Sequence, residues 1–192
     1  MVFLTGGKIQ LGVSSPSEPW HLTGRLFPLE HFCIDPYEYP NQKNVLPMND
    51  VSFLEAQSLC EKKGKRLCTE AEWVRACRGV AGREYSYGNT YIPDKCNTAP
   101  EGEAVPFSVS GDYKACQSPE GVFDLNGNLS EWVNSPWPRT STKTIGWMTL
   151  RGGTIDSQTH YGQDCTSRHG HDSKSWTNKD DGFRCCQDVR SK

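Results

Sequence analysis

The order of local signals predicts an α+β domain. Three observations carry that prediction. One run of β-forming residues lies early, at HFCIDPYEYP (31–40). Two capped helical segments follow it, at 52–64 and 69–79. Beyond residue 80 helical periodicity stops, and Gly, Pro, Asn and aromatic residues dominate, with short extended pieces such as GVFDL and EWV. Strand, two helices, then loop-rich short strands is not the alternation of a parallel βαβ chain.

The elements follow in order. VFLTGGKIQLG alternates weakly around Gly6-Gly7 and predicts a short hairpin over residues 2–12. Residues 15–30 are rich in Pro and Ser and read as loop. The strand in 31–40 is expected to end at Pro40, which cannot donate to a ladder. In VSFLEAQSLCEKKG, Ser52 is the N-cap, Glu55 completes a capping box, and Phe53, Ala56, Leu59 and Cys60 share one face before Gly64. In CTEAEWVRACRG, Thr69 and Glu72 form a second box. Trp73, Ala76 and Cys77 face inward, and Gly79 stops the helix. Each helix thus carries a cysteine on its buried face, which suggests that each is tied to another part of the fold.

At 192 residues the chain is read as a single domain, 1–192, long enough for an ordinary core. Its formal charge of −2, with mixed signs and no basic block, excludes a nucleic-acid patch. EKKGKR (61–66) is a solvated helix end. No apolar run reaches membrane-spanning length, so no membrane insertion is expected. The opening residues do not form a signal peptide, which leaves a cytoplasmic, processed or excised chain. The nine cysteines argue against the cytoplasm: irregular spacing without a Cys-x-x-Cys pair reads as a disulfide framework, one thiol left over. The expected setting is extracellular, cell-surface or periplasmic.

Four motifs then occur in order: GKRLCTEAEWVRACRG, GVFDLNGNLSEWV, LRGG and GFRC. Together they resemble the formylglycine-generating enzyme family, also called the sulfatase-modifying-factor domain family, over nearly the whole chain. The resemblance implies a C-type-lectin-like fold with two helices, a small antiparallel sheet and many loops. It also implies disulfides Cys60–Cys185 and Cys77–Cys165. We add Cys96–Cys116 from loop proximity; Cys33, Cys68 and Cys186 stay unassigned.

The family's oxidase chemistry uses copper held by two cysteines placed just after the Gly-Gly. Here that stretch is TIDSQTHYGQD (154–164), without a cysteine. Without two thiolates there is no soft site for copper(I), so formylglycine generation is not carried over. Cys165, followed by Arg168, matches the next, structural family cysteine. The resemblance further implies a structural calcium ion at Asp124, Gly127, Leu129 and Glu131, where carboxylates and carbonyls offer hard oxygens. A second family calcium site would begin near Asn97-Thr98, but its distal acid is not identifiable.

Three readings compete for the polar segment 154–181. His169 and His171 point the same way if extended, and with His160 or Asp172 they suit a non-heme iron or copper oxidoreductase. Ser157, His160 and Asp156 are triad residue types, but neither an oxyanion hole nor a nucleophile elbow accompanies them. The favoured reading is recognition of a glycan or protein, as in an adhesin. Trp147, Asp156, His160, Tyr161, Arg168, His169, His171, Asp172, Trp176 and Asn178 offer it aromatic faces and directional polar groups. Trp132, Trp137 and Trp147 also suit core and loop packing.

Overall fold

A computed structural model describes residues 1–11, 26–98, 105–137, 144–153 and 163–189. The chain runs β1 (Val2–Leu4), β2 (Gly7–Gln10), β3 (Leu26–Leu29), β4 (Phe32–Ile34), α1 (Phe53–Lys62), β5 (Arg66–Leu67), α2 (Glu70–Arg78), β6 (Ser130–Pro136), β7 (Trp147–Arg151), β8 (Arg168–Asp172), β9 (Asp181–Phe183) and β10 (Cys185–Asp188). The strands form a four-stranded sheet in order β1-β4-β10-β5, a β2-β3 pair, and a second four-stranded sheet in order β8-β7-β6-β9. The pairing is antiparallel except between β6 and β9, which run parallel. The small antiparallel sheet expected from the family is therefore three sheets, one of them mixed.

Both helices start as their sequences dictate. Ser52 and Thr69 accept from the backbone N–H of Glu55 and Glu72, and each glutamate reaches back to its cap residue's N–H. Each cap contributes about 1 kcal/mol. Helix α1 ends at Lys63 and Gly64, and α2 at Gly79, where φ is +61°.

Three sequence expectations are corrected. The hairpin expected over 2–12 is not formed by the described residues 2–11: β1 pairs with β4, and β2 with β3. The chain changes sheet at Gly6, where a Cβ would lie 2.1 Å from the Leu29 carbonyl oxygen, so backbone passes directly over backbone. Within the expected loop over 15–30, the described residues Leu26–Leu29 form strand β3, where Pro28 is tolerated because β3 has one partner among the described residues. Strand β4 stops at Ile34, before Asp35-Pro36, rather than at Pro40. Arg66-Leu67 also pairs with β10, a strand too short to show periodicity.

The core has two lobes. Leu4, Phe32, Ile34, Trp73, Val74 and Leu125 pack under α2. Phe53, Ala56, Leu67, Trp132, Leu150 and Phe183 pack under α1. Each such side chain contributes roughly 1.5–3 kcal/mol by leaving water. The lobes are stapled by Cys60–Cys185, Cys77–Cys165, Cys96–Cys116 and Cys68–Cys186, while Cys33 keeps a half-buried free thiol. Cys60 and Cys68 come from α1 and the turn before α2, and both fasten to adjacent residues of β10. Four disulfides mark a chain that matures in an oxidising compartment. Among the described residues, no helix is long and apolar enough to cross a membrane.

Candidate functional site

The motifs converge on the sheet β8-β7-β6-β9, and its two faces divide the candidate residues. Strand β8 runs antiparallel to β7 with Trp147 opposite Asp172, Met148 opposite His171, Leu150 opposite His169 and Arg151 opposite Arg168. Side chains alternate along a strand, and residues directly opposite share a face. His169 and His171 therefore lie with Met148 and Leu150, as their spacing predicts. Arg168 and Arg151 lie on the other side.

On the histidine face the imidazoles of His169 and His171 sit 5.3 Å apart, edge to face. His171 stacks on Trp176 with ring centres 3.7 Å apart and planes within 2°. Trp147, opposite Asp172 at the start of β7, belongs by alternation to the other face, yet its ring centre lies 5.8 Å from that of His171. Trp176 donates its indole N–H to Asp181 Oδ2 at 2.8 Å, and His169 Nε2 lies 4.0 Å from Asp181 Oδ1. Burial pushes Asp181 up to about 7. Burial, then the neighbouring His171, holds His169 below the ordinary imidazole range.

The facial metal set expected from sequence is not assembled by Asp172. Its Oδ1 accepts from the Lys174 and Ser175 N–H groups and the Ser175 hydroxyl, closing a turn after β8. Alternation alone sends it away from the imidazoles. Among the described residues no three His, Cys, Asp or Glu side chains converge as a metal site. Asp156, His160 and Tyr161, with Ser157, lie outside the described residues.

The opposite face is not an exposed recognition surface. Glu70, at the start of α2, accepts from Arg151 at 2.6 Å and from Arg168 at 3.3 Å. Arg151 also donates to the Thr166 carbonyl at 2.7 Å and is almost wholly buried. Arg168 lies over the ring of Trp137, which in turn packs on Gly170, where a Cβ would meet the indole at 2.3 Å. Arg168 is thus a buried brace between α2 and β8, a correction to its expected place in the binding surface. Asn178 serves a turn: its carbonyl accepts from the Asp181 N–H at 2.9 Å.

The loop DLNGNLSEW is held by backbone conformations few residues adopt. Asp124, Gly127 and Asn128 have φ of +57°, +75° and +60°. Gly127 lies against Asn97, whose carbonyl oxygen would be 2.2 Å from any Cβ. Asn97 and Asn128 join across this contact at 2.9 Å, and Asn128 also donates to the fully buried Glu38. Burial, then Asp124 and Glu131, raise Glu38 well above the carboxylate range. Burial pushes Asp124 up to about 6.

Glu131 is the residue on which the expected calcium set turns. Its Oε2 accepts from Trp73 Nε1 at 2.8 Å and Arg184 Nε at 2.7 Å, and its Oε1 from Arg184 Nη2 at 2.6 Å. Asp124 turns its Oδ2 to the Gly111 N–H at 2.7 Å. With Glu131 filled by an indole and a guanidinium, this arrangement does not fit the four-residue donor set expected for calcium. Arg184, absent from the expected site, is the loop's cation. Its guanidinium, wholly buried, also donates to the carbonyls of Phe123, Asp35 and Pro36. The signal for it was the arginine of Gly-Phe-Arg, next to a strand phenylalanine.

Two capped helices, disulfide-stapled sheets and a loop-built face define a C-type-lectin-like domain of the formylglycine-generating type. The chain belongs to the family described as the sulfatase-modifying factor enzyme 1-like domain, which it matches over residues 29–189. It is 31% identical over 157 residues to the inactive C-alpha-formylglycine-generating enzyme 2 of Bos taurus, covering 75% of this chain and 51% of that protein. It is 31% identical over 170 residues to the formylglycine-generating enzyme of Streptomyces coelicolor, covering 74% of this chain and 53% of that one. The chain thus spans about half the length of these curated relatives. Treponema denticola variable protein 1 shares the fold, with a TM-score of 0.73 at 17% identity over 97% of this chain and 94% of that one.

Proposed function

We propose that this domain is a non-catalytic recognition module outside the cytoplasm, at a cell surface, in the medium or in a periplasm. The observation that carries the reading is the imidazole–indole cluster of His169 and His171 on edge strand β8 with Trp147 of β7 and Trp176 beyond β8. Such groups join apolar area to polar edges, as recognition surfaces do. Two further points support it: residues 154–164 contain no cysteine to hold copper(I), and one relative is named as an inactive enzyme.

Of the two ligand classes, a protein surface fits better than a glycan. A sugar ring stacks on an open aromatic face, and His171 already covers one face of Trp176 at 3.7 Å. The test is a paired screen of the intact chain against a glycan array and a displayed protein library, repeated with His171→Ala and Trp147→Ala. We expect protein ligands whose affinity falls about tenfold in these variants, in the range of an interface hot spot. Glycan binding that both substitutions leave unchanged would overturn the reading, as would oxygen consumption by the purified chain.

A further inference from the structure

A cavity of about 290 Å³ opens between the β2–β3 pair and the C-terminal end of α2, away from the sheet that carries the histidines. Among the described residues its charged lining is Lys8, Arg75 and Arg78, with no acidic residue. The rest of the described lining is Gln10, glycine backbone and apolar groups, with Ile9, Leu29 and Val80 among them.

The three cations differ in how they are engaged. Arg75 donates to Glu120 at 2.7 Å, so its charge is matched. Arg78 has no carboxylate within ion-pair distance among the described residues. Its guanidinium instead donates to three backbone carbonyls: Arg83 at 3.0 Å, Gly82 at 2.8 Å and Gln10 at 3.4 Å. A guanidinium has five N–H donors, so two remain for a ligand. Asp164 and Glu84 act on Arg78 only from beyond contact, and burial lowers its pKa, a sign that its charge is incompletely compensated. Lys8 stands exposed on β2 with no ion pair among the described residues. Past the end of α2, Val80 and Ala81 bring backbone N–H groups that no described carbonyl takes up. The negative end of α2's dipole opposes an anion here, and Arg75 and Arg78 in its last turn offset that field.

We propose that this cavity is a second binding site, specific for a small organic anion: a carboxylate or phosphate headgroup on a short aliphatic body. Arg78 and the Val80 and Ala81 N–H groups take the headgroup, Lys8 adds its charge from the exposed rim, and Ile9, Leu29 and Val80 take the chain. Lys8 and Arg78, the two lining cations without a carboxylate partner among the described residues, set the sign of the ligand. The cavity volume limits its size to a small metabolite. The site is independent of the histidine face, so ligand recognition there can fail while this proposal stands.

The experiment is a titration of the intact, oxidised, ¹⁵N-labelled chain with hexyl phosphate and with hexanoate, using neutral hexanol as the control. Binding is expected to shift the amides of Gly79, Val80 and Ala81. Lys8→Gln is expected to weaken affinity about two- to fivefold, as for an exposed charge. Arg78→Gln is expected to weaken it about tenfold or more, as for a charge-assisted bond. Response to either probe alone supports the site and identifies its headgroup. Arg78 also braces the turn at residues 82–83, so its variant could misfold. Lys8 makes no side-chain hydrogen bond or ion pair among the described residues, and its variant decides the matter alone. No shifts with either anion, shifts elsewhere, equal binding of hexanol, or affinity unchanged in Lys8→Gln would each overturn the proposal.

Discussion

Arg184→Met tests what neutralises the DLNGNLSEW loop. Methionine nearly keeps the volume, so the cavity term stays small and the lost interactions are electrostatic. They are two bonds to Glu131, at 2.6 and 2.7 Å through Nη2 and Nε, and one to the Phe123 carbonyl at 2.9 Å, with two longer bonds to Asp35 and Pro36. What stays behind is a Glu131 carboxylate with no accessible surface and only the Trp73 indole as partner, near Glu38 and Asp124. Removing one partner of a buried pair costs about 3–5 kcal/mol. For a chain of this size that is a fall in Tm of about 6–20 °C. The assay is thermal unfolding by near-ultraviolet circular dichroism with disulfides intact, in EDTA and in calcium chloride. Wild-type Tm should be the same in both, because Arg184 already fills Glu131. A variant shift under about 2 °C would refute the ion-pair reasoning. So would a wild-type Tm that falls on chelation as far as the variant's, since calcium would then hold the loop.

Asp181 and His169 make opposing contributions to the pH dependence of stability. Asp181 titrates at about 7 in the fold against 3.8 ordinarily, so its contribution is lost as pH rises between those values. His169 is held below 6.5, so the fold loses stability as pH falls beneath that value. Asp181→Asn should remove the first effect and expose the second: its Tm drops more steeply than wild type on acidification from pH 6.5, read by calorimetry. Gly127→Ala should be the most damaging alanine substitution in the loop, since φ is +75° and Asn97 backbone fills the space. A loss of soluble, cooperatively unfolding protein is expected. Replacing Cys77 and Cys165 by alanine should cost about 2–4 kcal/mol in denaturant unfolding. Thiol titration of the unfolded, unreduced wild type should find one free cysteine, Cys33.

The local elements were legible because their signals are local. Ser52 with Glu55 and Thr69 with Glu72 fix two helix starts through groups three residues apart. The same-side placement of His169 and His171 follows from the pleat. The hairpin over 2–12 failed because its strands find distant partners, β4 and β3, and Gly6 marks a crossing rather than a turn. Cys68–Cys186 escaped notice because β5, a two-residue strand, brings them together.

The candidate site shows the same division. The sequence alone determined the family, the missing copper cysteines and the capped helices, since these reside in motifs and short spacings; the pairings Cys60–Cys185 and Cys77–Cys165, 125 and 88 residues apart, came only with the family resemblance. Only the tertiary structure decided that Arg168 is a buried brace on Glu70, that Asp172 closes a turn, and that Glu131 belongs to Arg184 and Trp73. A carboxylate is an acceptor to any donor the fold brings near, whether guanidinium, indole or cation. Which one arrives depends on contacts between residues as far apart as 73, 131 and 184, and no local pattern encodes that distance.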